Sequence, residues 1–251
     1  MNRRALMLLP SLLLLCAHAA AGAEPLTLTA ADGVKVYGEF WPAAAPGAPL
    51  ILAFHQAGSS HAEYTPIAPR LNRAGFSVLA IDQRSGGNEF GGRNKTVAAL
   101  GRSSTYDAAL PDLEAALAWG RERAKGAPLL VWGSSYSAAL VFVLAAKHPA
   151  DISGLLAFSP GEYLRSPNAV GEAARALRVP AFVDQSSAKD EIDAARSILA
   201  LATASADKTQ FIPARHGVHG SATLRGDRNP AGAEENWTAV LAFLAKFKVA
   251  R

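Results

Sequence analysis

Three short segments hold side chains that could together attack and cleave an acyl bond. The first is Gly133-Ser134-Ser135-Tyr136-Ser137. A serine hydroxyl is a weak nucleophile until a neighbouring base takes its proton. The second is His216-Gly217-Val218-His219-Gly220-Ser221, a glycine-rich stretch with two imidazoles. Imidazole suits the base because it titrates near neutral pH. The third is Asp184-Gln185-Ser186-Ser187-Ala188-Lys189-Asp190-Glu191. A carboxylate there could orient the imidazole and stabilise its charged form. Two histidines could instead hold a metal, but no Asp or Glu stands beside them to complete a ligand set. The expectation is therefore no metal and no cofactor.

Spacing selects among the serines. A serine lifted above a sheet on a sharp strand-to-helix turn needs small residues two before and two after it, where backbones pass closely. Ser135 has Gly133 and Ser137 at those positions. Ser134 would have Trp132, which is too large. A serine-rich turn can also simply cap a helix. The apolar run before Ser135 and the apolar helical stretch after it favour the nucleophile.

The surrounding pattern must supply that strand and helix. Residues 26–30 and 34–41 read as strands joined at Asp32-Gly33, a hairpin signal. Apolar strands follow at 50–54, 76–81, 128–132, 152–158 and 179–183, and a last strand at 209–212. Helices are expected at 64–74, 108–125, 136–148, 191–204 and 233–247. Residues 86–101 read as a long glycine-rich loop, and 161–177 as a polar crossing segment. Continuous apolar strands alternating with helices imply a mostly parallel sheet covered on both faces, with the hairpin as an antiparallel edge.

With these features the chain resembles an α/β-hydrolase, nearest the dienelactone-hydrolase-like and serine-aminopeptidase-like branches. The resemblance runs from the hairpin to the last helix. It departs at Ser137, where those proteins usually carry glycine. It implies a small cap or none. It also implies two backbone N–H donors for an oxyanion: one from Tyr136, the other from Ala57 or Gln56. The latter lie in His55-Gln56-Ala57-Gly58, which resembles an H-G-x-x-G loop with Gln56 in place of glycine. His55 itself reads as a structural residue at a strand end. By the same resemblance Asp190 is the acid, with Asp184 and Glu191 in reserve, and His219 is the base, with His216 left to the pocket or the scaffold. Asp82 and Arg84, in a D-x-R-x-x-G run, are read as a structural pair.

The chain has 251 residues, half of them apolar, which fits one large domain. Arg3 and Arg4, the apolar run from Ala5 to Leu15 and the small residues ending Ala21-Gly22-Ala23 form a signal-peptide pattern. Cleavage is expected after Ala23, giving a domain over 24–251 and a periplasmic or secreted protein. The apolar run is short for a membrane span, which needs about 20 residues. Leu15 before Cys16 is too large for a lipidation site. Removal of the segment takes the single cysteine and two of the 25 basic residues, leaving 23 against 21 acidic. So small an excess is no footprint for nucleic acid.

The expected activity is hydrolysis of a carboxylic ester or related acyl bond through an acyl-enzyme on Ser135, acting on a small-molecule acyl substrate. Thioester and peptide bonds are alternatives within that chemistry. Dehalogenase or epoxide-hydrolase chemistry would want Asp at position 135. The contrasting possibility is a non-catalytic binding protein on the same scaffold.

Overall fold

A computed structural model describes residues 22–248. Apart from Gly22 and Ala23, the expected signal segment, with Cys16, lies outside the described residues. Among the described residues no helix is long and apolar enough to cross a membrane.

Strands β1 (Glu24–Thr29) and β2 (Lys35–Trp41) pair antiparallel, with Asp32-Gly33 at the turn between them. Next come β3 (Leu50–Phe54), α1 (Ala68–Arg73), β4 (Ser77–Ile81), α2 (Lys95–Leu100) and α3 (Leu110–Ala124). The second half runs β5 (Leu129–Ser134), α4 (Tyr136–Lys147), β6 (Gly154–Phe158), α5 (Ala169–Ala176), β7 (Ala181–Asp184), α6 (Lys189–Leu201), β8 (Lys208–Gln210) and α7 (Ala233–Leu244). The eight strands lie in the order β1-β2-β4-β3-β5-β6-β7-β8. All pairings beyond β2–β4 are parallel.

The central strands are apolar throughout because both sheet faces are covered. In β3, Leu50, Leu52 and Phe54 join the core formed with α3, α4, α5 and α6. Ile51 and Ala53 face the other way, into the core under α1 and α7. Each large side chain so buried contributes about 1.5–3 kcal/mol.

Two expectations for the long segments are corrected. Residues 86–101 are not all loop, since α2 occupies their last part. Asn94 caps it, its side chain accepting from the Val97 N–H at 2.8 Å, and Gly101 ends it. The helix expected over 64–74 begins only at Ala68. A single 3-10 turn at His61–Glu63, capped by Ser60, precedes it. The crossing segment between β6 and β7 holds one eight-residue helix, α5, so any cap is small.

Candidate active site

Parallel strands bring their C-terminal ends to one edge of the sheet. There β5 ends in a turn whose apex is Ser135, at φ 57° and ψ −121°. Non-glycine residues rarely hold such a backbone, at a cost of about 1–3 kcal/mol. The Ser135 N–H donates to the Phe158 carbonyl at 2.8 Å, which helps hold it. Gly133 is required by contact: a Cβ there would sit 2.2 Å from the Ser137 carbonyl oxygen. Ser137 has a use of its own. Its hydroxyl donates to the His55 carbonyl at 2.6 Å and accepts from Gln83 Nε2 at 2.6 Å, tying the turn to the loop after β3.

Ser135 Oγ lies 2.7 Å from His219 Nε2. His219 Nδ1 lies 2.9 Å from Glu191 Oε1. An ionised carboxylate only accepts, so Nδ1 carries the proton and Nε2 is free to accept from the serine. The expectation for the acid is corrected here: the carboxylate against His219 belongs to Glu191, not Asp190. Both stand in the first turn of α6, but successive helical residues point about 100° apart. Asp190 is exposed, whereas Glu191 is half-buried and turned to the site. Glu191 Oε2 also accepts from the Ser186 N–H at 3.1 Å. Burial pushes the Glu191 carboxyl up. The hydrogen bonds from His219 and Ser159 and the imidazole charge outweigh this and bring it down to about 2. The bond to Glu191 raises the His219 imidazole above its ordinary value against desolvation, with help from the charges of Glu191 and Glu63. Asp184, the other reserve, ends β7 fully buried; its Oδ1 accepts from the Gln185 N–H at 2.8 Å, and among the described residues it forms no hydrogen bond with His219. Burial holds its carboxyl far above the ordinary range.

The two candidate donors from the loop after β3 separate clearly. The Gln56 N–H already donates to Glu63 Oε2 at 2.7 Å. Among the described residues no acceptor meets the N–H of Ala57 or of Tyr136. The histidine loop closes from the other side. The Ser221 N–H donates to Ser134 Oγ at 2.8 Å, and Trp132 Nε1 donates to Ser221 Oγ at 2.9 Å. Gly220 fits where a Cβ would lie 2.4 Å from Ser134 Oγ.

Residues 46–189 match the family described as serine aminopeptidase, S33. That is more than half of the chain. The chain belongs to this family of α/β-hydrolases. No curated protein is similar to it in sequence at a significant level. Among solved structures it is similar to a thermostable carboxyl esterase of Bacillus coagulans (14% identity, 91% of this chain and 100% of that one, TM-score 0.69). A dienelactone hydrolase of Anabaena variabilis is similar at 15% identity, over 91% of this chain and 99% of that one, with TM-score 0.68. An esterase of Pyrococcus furiosus matches at 19% identity over 90% and 91%, with TM-score 0.63. At such identities the likeness is one of fold.

In this S33-family hydrolase the remaining residues singled out in the sequence are scaffold. His55 is buried. Its Nδ1 donates to the Gln56 carbonyl at 2.7 Å and its Nε2 accepts from the Gln83 N–H at 3.0 Å; desolvation holds it down at about 4, so it stays neutral. His216 braces its loop through Asn229, 2.9 Å from Nδ1. Asp82 and Arg84 are not partners, contrary to expectation. Asp82 accepts from His61 and the Lys95 N–H, while Arg84 pairs with Asp112 and Asp32. Both lie past the end of β4, where the chain has left the strand, and each side chain meets the partner nearest it: His61 and the Lys95 N–H for Asp82, Asp112 and Asp32 for Arg84.

Beside His219 a cleft of about 530 Å³ opens, walled by Gln56, Glu89, Phe90, Val218 and Arg228. A smaller one of about 300 Å³ lies between the exposed rings of Tyr106 and Tyr163. Tyr106 stacks on Tyr136 at 4.5 Å between centroids. A third cavity, between the loop 42–48 and the end of α3, opens where β3 and β4 begin, at the opposite end of the strands from Ser135. Sequence reasoning missed Glu191 as first choice and did not notice Glu63. The signal for Glu191 was helix phase: once α6 is started at Lys189, only one of two adjacent acids can face the sheet edge.

Proposed function

We propose that this hydrolase is a serine esterase that forms an acyl-enzyme on Ser135. The Ser135 hydroxyl attacks the substrate carbonyl while His219 Nε2 takes its proton. Glu191 holds the imidazole in the required tautomer and offsets the charge it gains. The N–H groups of Tyr136 and Ala57 receive the oxyanion. His219 then returns the proton to the leaving alcohol, and water repeats the sequence in reverse to free the acid. The single observation that carries this reading is the continuous line from Ser135 Oγ to His219 Nε2 at 2.7 Å and from His219 Nδ1 to Glu191 at 2.9 Å.

The small crossing segment and open clefts favour modest acyl groups over long lipids. The basic start, apolar run and small residues of 1–23 support work in the periplasm or outside the cell. The test is a panel of p-nitrophenyl esters, a lactone, a thioester and an aminoacyl amide. Ester turnover that falls by several orders of magnitude in Ser135→Ala and His219→Ala supports the proposal. Turnover confined to the aminoacyl amide would make it a peptidase, and none on any member would leave a binding protein.

A further inference from the structure

The loop after β3 and the serine turn both bond one buried side chain that the mechanism above does not use, and the histidine loop reaches it through Ser134. Glu63 is wholly shielded from solvent. Its Oε2 accepts from the Gln56 N–H at 2.7 Å and its Oε1 from the Ser134 hydroxyl at 2.6 Å. Ser134 Oγ in turn accepts from the Ser221 N–H at 2.8 Å. Each bonded group is one or two residues from a site atom: Gln56 precedes Ala57, Ser134 precedes Ser135, and Ser221 follows His219 by two. A buried carboxylate without a cation is costly, and among the described residues none forms an ion pair with Glu63. Two donors at once, with no donor in return, is what an ionised carboxylate supplies and an amide or hydroxyl does not.

We infer that Glu63 is a positioning residue of this site, clamping three loops from beneath so that Ala57 N–H, Ser135 Oγ and His219 Nε2 converge. The inference rests on the serine-hydrolase reading. By engaging the Gln56 N–H, Glu63 fixes that peptide and leaves the next N–H, that of Ala57, without an acceptor among the described residues. Its charge also acts on His219, whose imidazole it helps to raise. The titratable and charged groups around it are His219 and Arg225 from the histidine loop and its continuation, Tyr64 beside it in the chain and Tyr136 from α4; Glu191 faces His219 from the far side. Burial pushes the Glu63 carboxyl up to about 7, against the hydrogen bonds from Ser134 and Gln56 and the charges of Arg225 and His219.

Two variants separate charge from reach. Glu63→Gln keeps the shape and removes the charge and one acceptor. Glu63→Asp keeps the charge but falls short of Gln56 and Ser134. For Glu63→Gln the expected result is a kcat lower by roughly 10- to 100-fold with KM little changed, as for a small misplacement of reacting groups. The acid limb of its kcat/KM profile moves to lower pH, because one negative charge near His219 is gone. For Glu63→Asp kcat falls and the limb stays. An imidazole ¹⁵N titration of His219 reads the same shift without turnover, so it decides the inference even if wild type cleaves no ester and the serine-hydrolase reading fails. Should Glu63→Gln not fold, Glu63→Asp carries the test: kcat must fall while the acid limb stays. An unchanged His219 midpoint in a folded Glu63→Gln, or kcat within about twofold of wild type in every variant that folds, would each overturn the inference.

Discussion

Replacing Glu191 by Gln tests the corrected assignment of the acid, and the structure says what each arrangement of the new amide would do. Glu191 accepts on one oxygen from His219 Nδ1–H at 2.9 Å and on the other from the Ser186 N–H at 3.1 Å. A glutamine has one oxygen to offer. With that oxygen toward His219, its NH₂ faces the Ser186 N–H, donor against donor. With the oxygen toward Ser186, the NH₂ faces Nδ1, which must then lose its proton. Nε2 gains it and can no longer accept from Ser135. Either way the imidazole also loses the charge that stabilises its protonated form. Loss of that charge together with the tautomer costs up to about 10⁴ in kcat for such triads. A fall between about 10² and 10⁴, or roughly 2.7–5.4 kcal/mol of barrier, is expected. The bond to Glu191 is the first cause of the raised His219 imidazole, so the acid limb of kcat/KM must also move to lower pH. The control is Asp190→Asn, an exposed change that should leave kcat within about twofold. Initial rates on p-nitrophenyl acetate across the pH range measure both. If Asp190→Asn is the crippled variant, or Glu191→Gln keeps most of its activity with an unmoved limb, the reasoning about α6 is wrong.

Other consequences follow from the same geometry. In wild type, kcat/KM should fall as pH drops through a midpoint above the ordinary imidazole value, since only neutral His219 accepts the serine proton and the midpoint is raised; Glu191, at about 2, adds no second limb in that range. Gly133→Ala drives a Cβ to 2.2 Å from the Ser137 carbonyl and should cost more than about 3 kcal/mol or abolish folding, read by thermal melting. Ser137→Gly removes two buried hydrogen bonds and leaves the His55 carbonyl and the Gln83 amide without that partner, so stability should drop by about 1–3 kcal/mol in denaturant titration. Asp112→Asn takes the buried partner from Arg84 while Asp32 remains, for a loss of about 3 kcal/mol.

Much of the architecture was legible in the sequence because both sheet faces are buried. A strand such as Leu50–Phe54, apolar at every position, has few other places to be, and the structure gives it those bounds. The place of Ser135 at the apex of the turn was legible from spacing and from the strand and helix around it: Trp132 cannot sit where Gly133 sits. What escaped the sequence depends on phase and on distance. Asp190 and Glu191 are neighbours in the chain, and only the start of α6 decides which faces the sheet edge. The partners of Arg84 are 28 and 52 positions away, so the nearer Asp82 was the natural but wrong choice. The helix α2 was hidden among the glycines of 86–101, although Asn94 marks its start and Gly101 its stop. Glu63 gave no signal, being one acid in a polar stretch until folding places it under three loops.

The most direct measurement is the site of covalent capture by a fluorophosphonate. One adduct per chain, mapped by mass spectrometry to Ser135, absent in Ser135→Ala and retained in Ser134→Ala, is the predicted result. No adduct under conditions that label a control esterase, or an adduct on Ser134, would contradict the account.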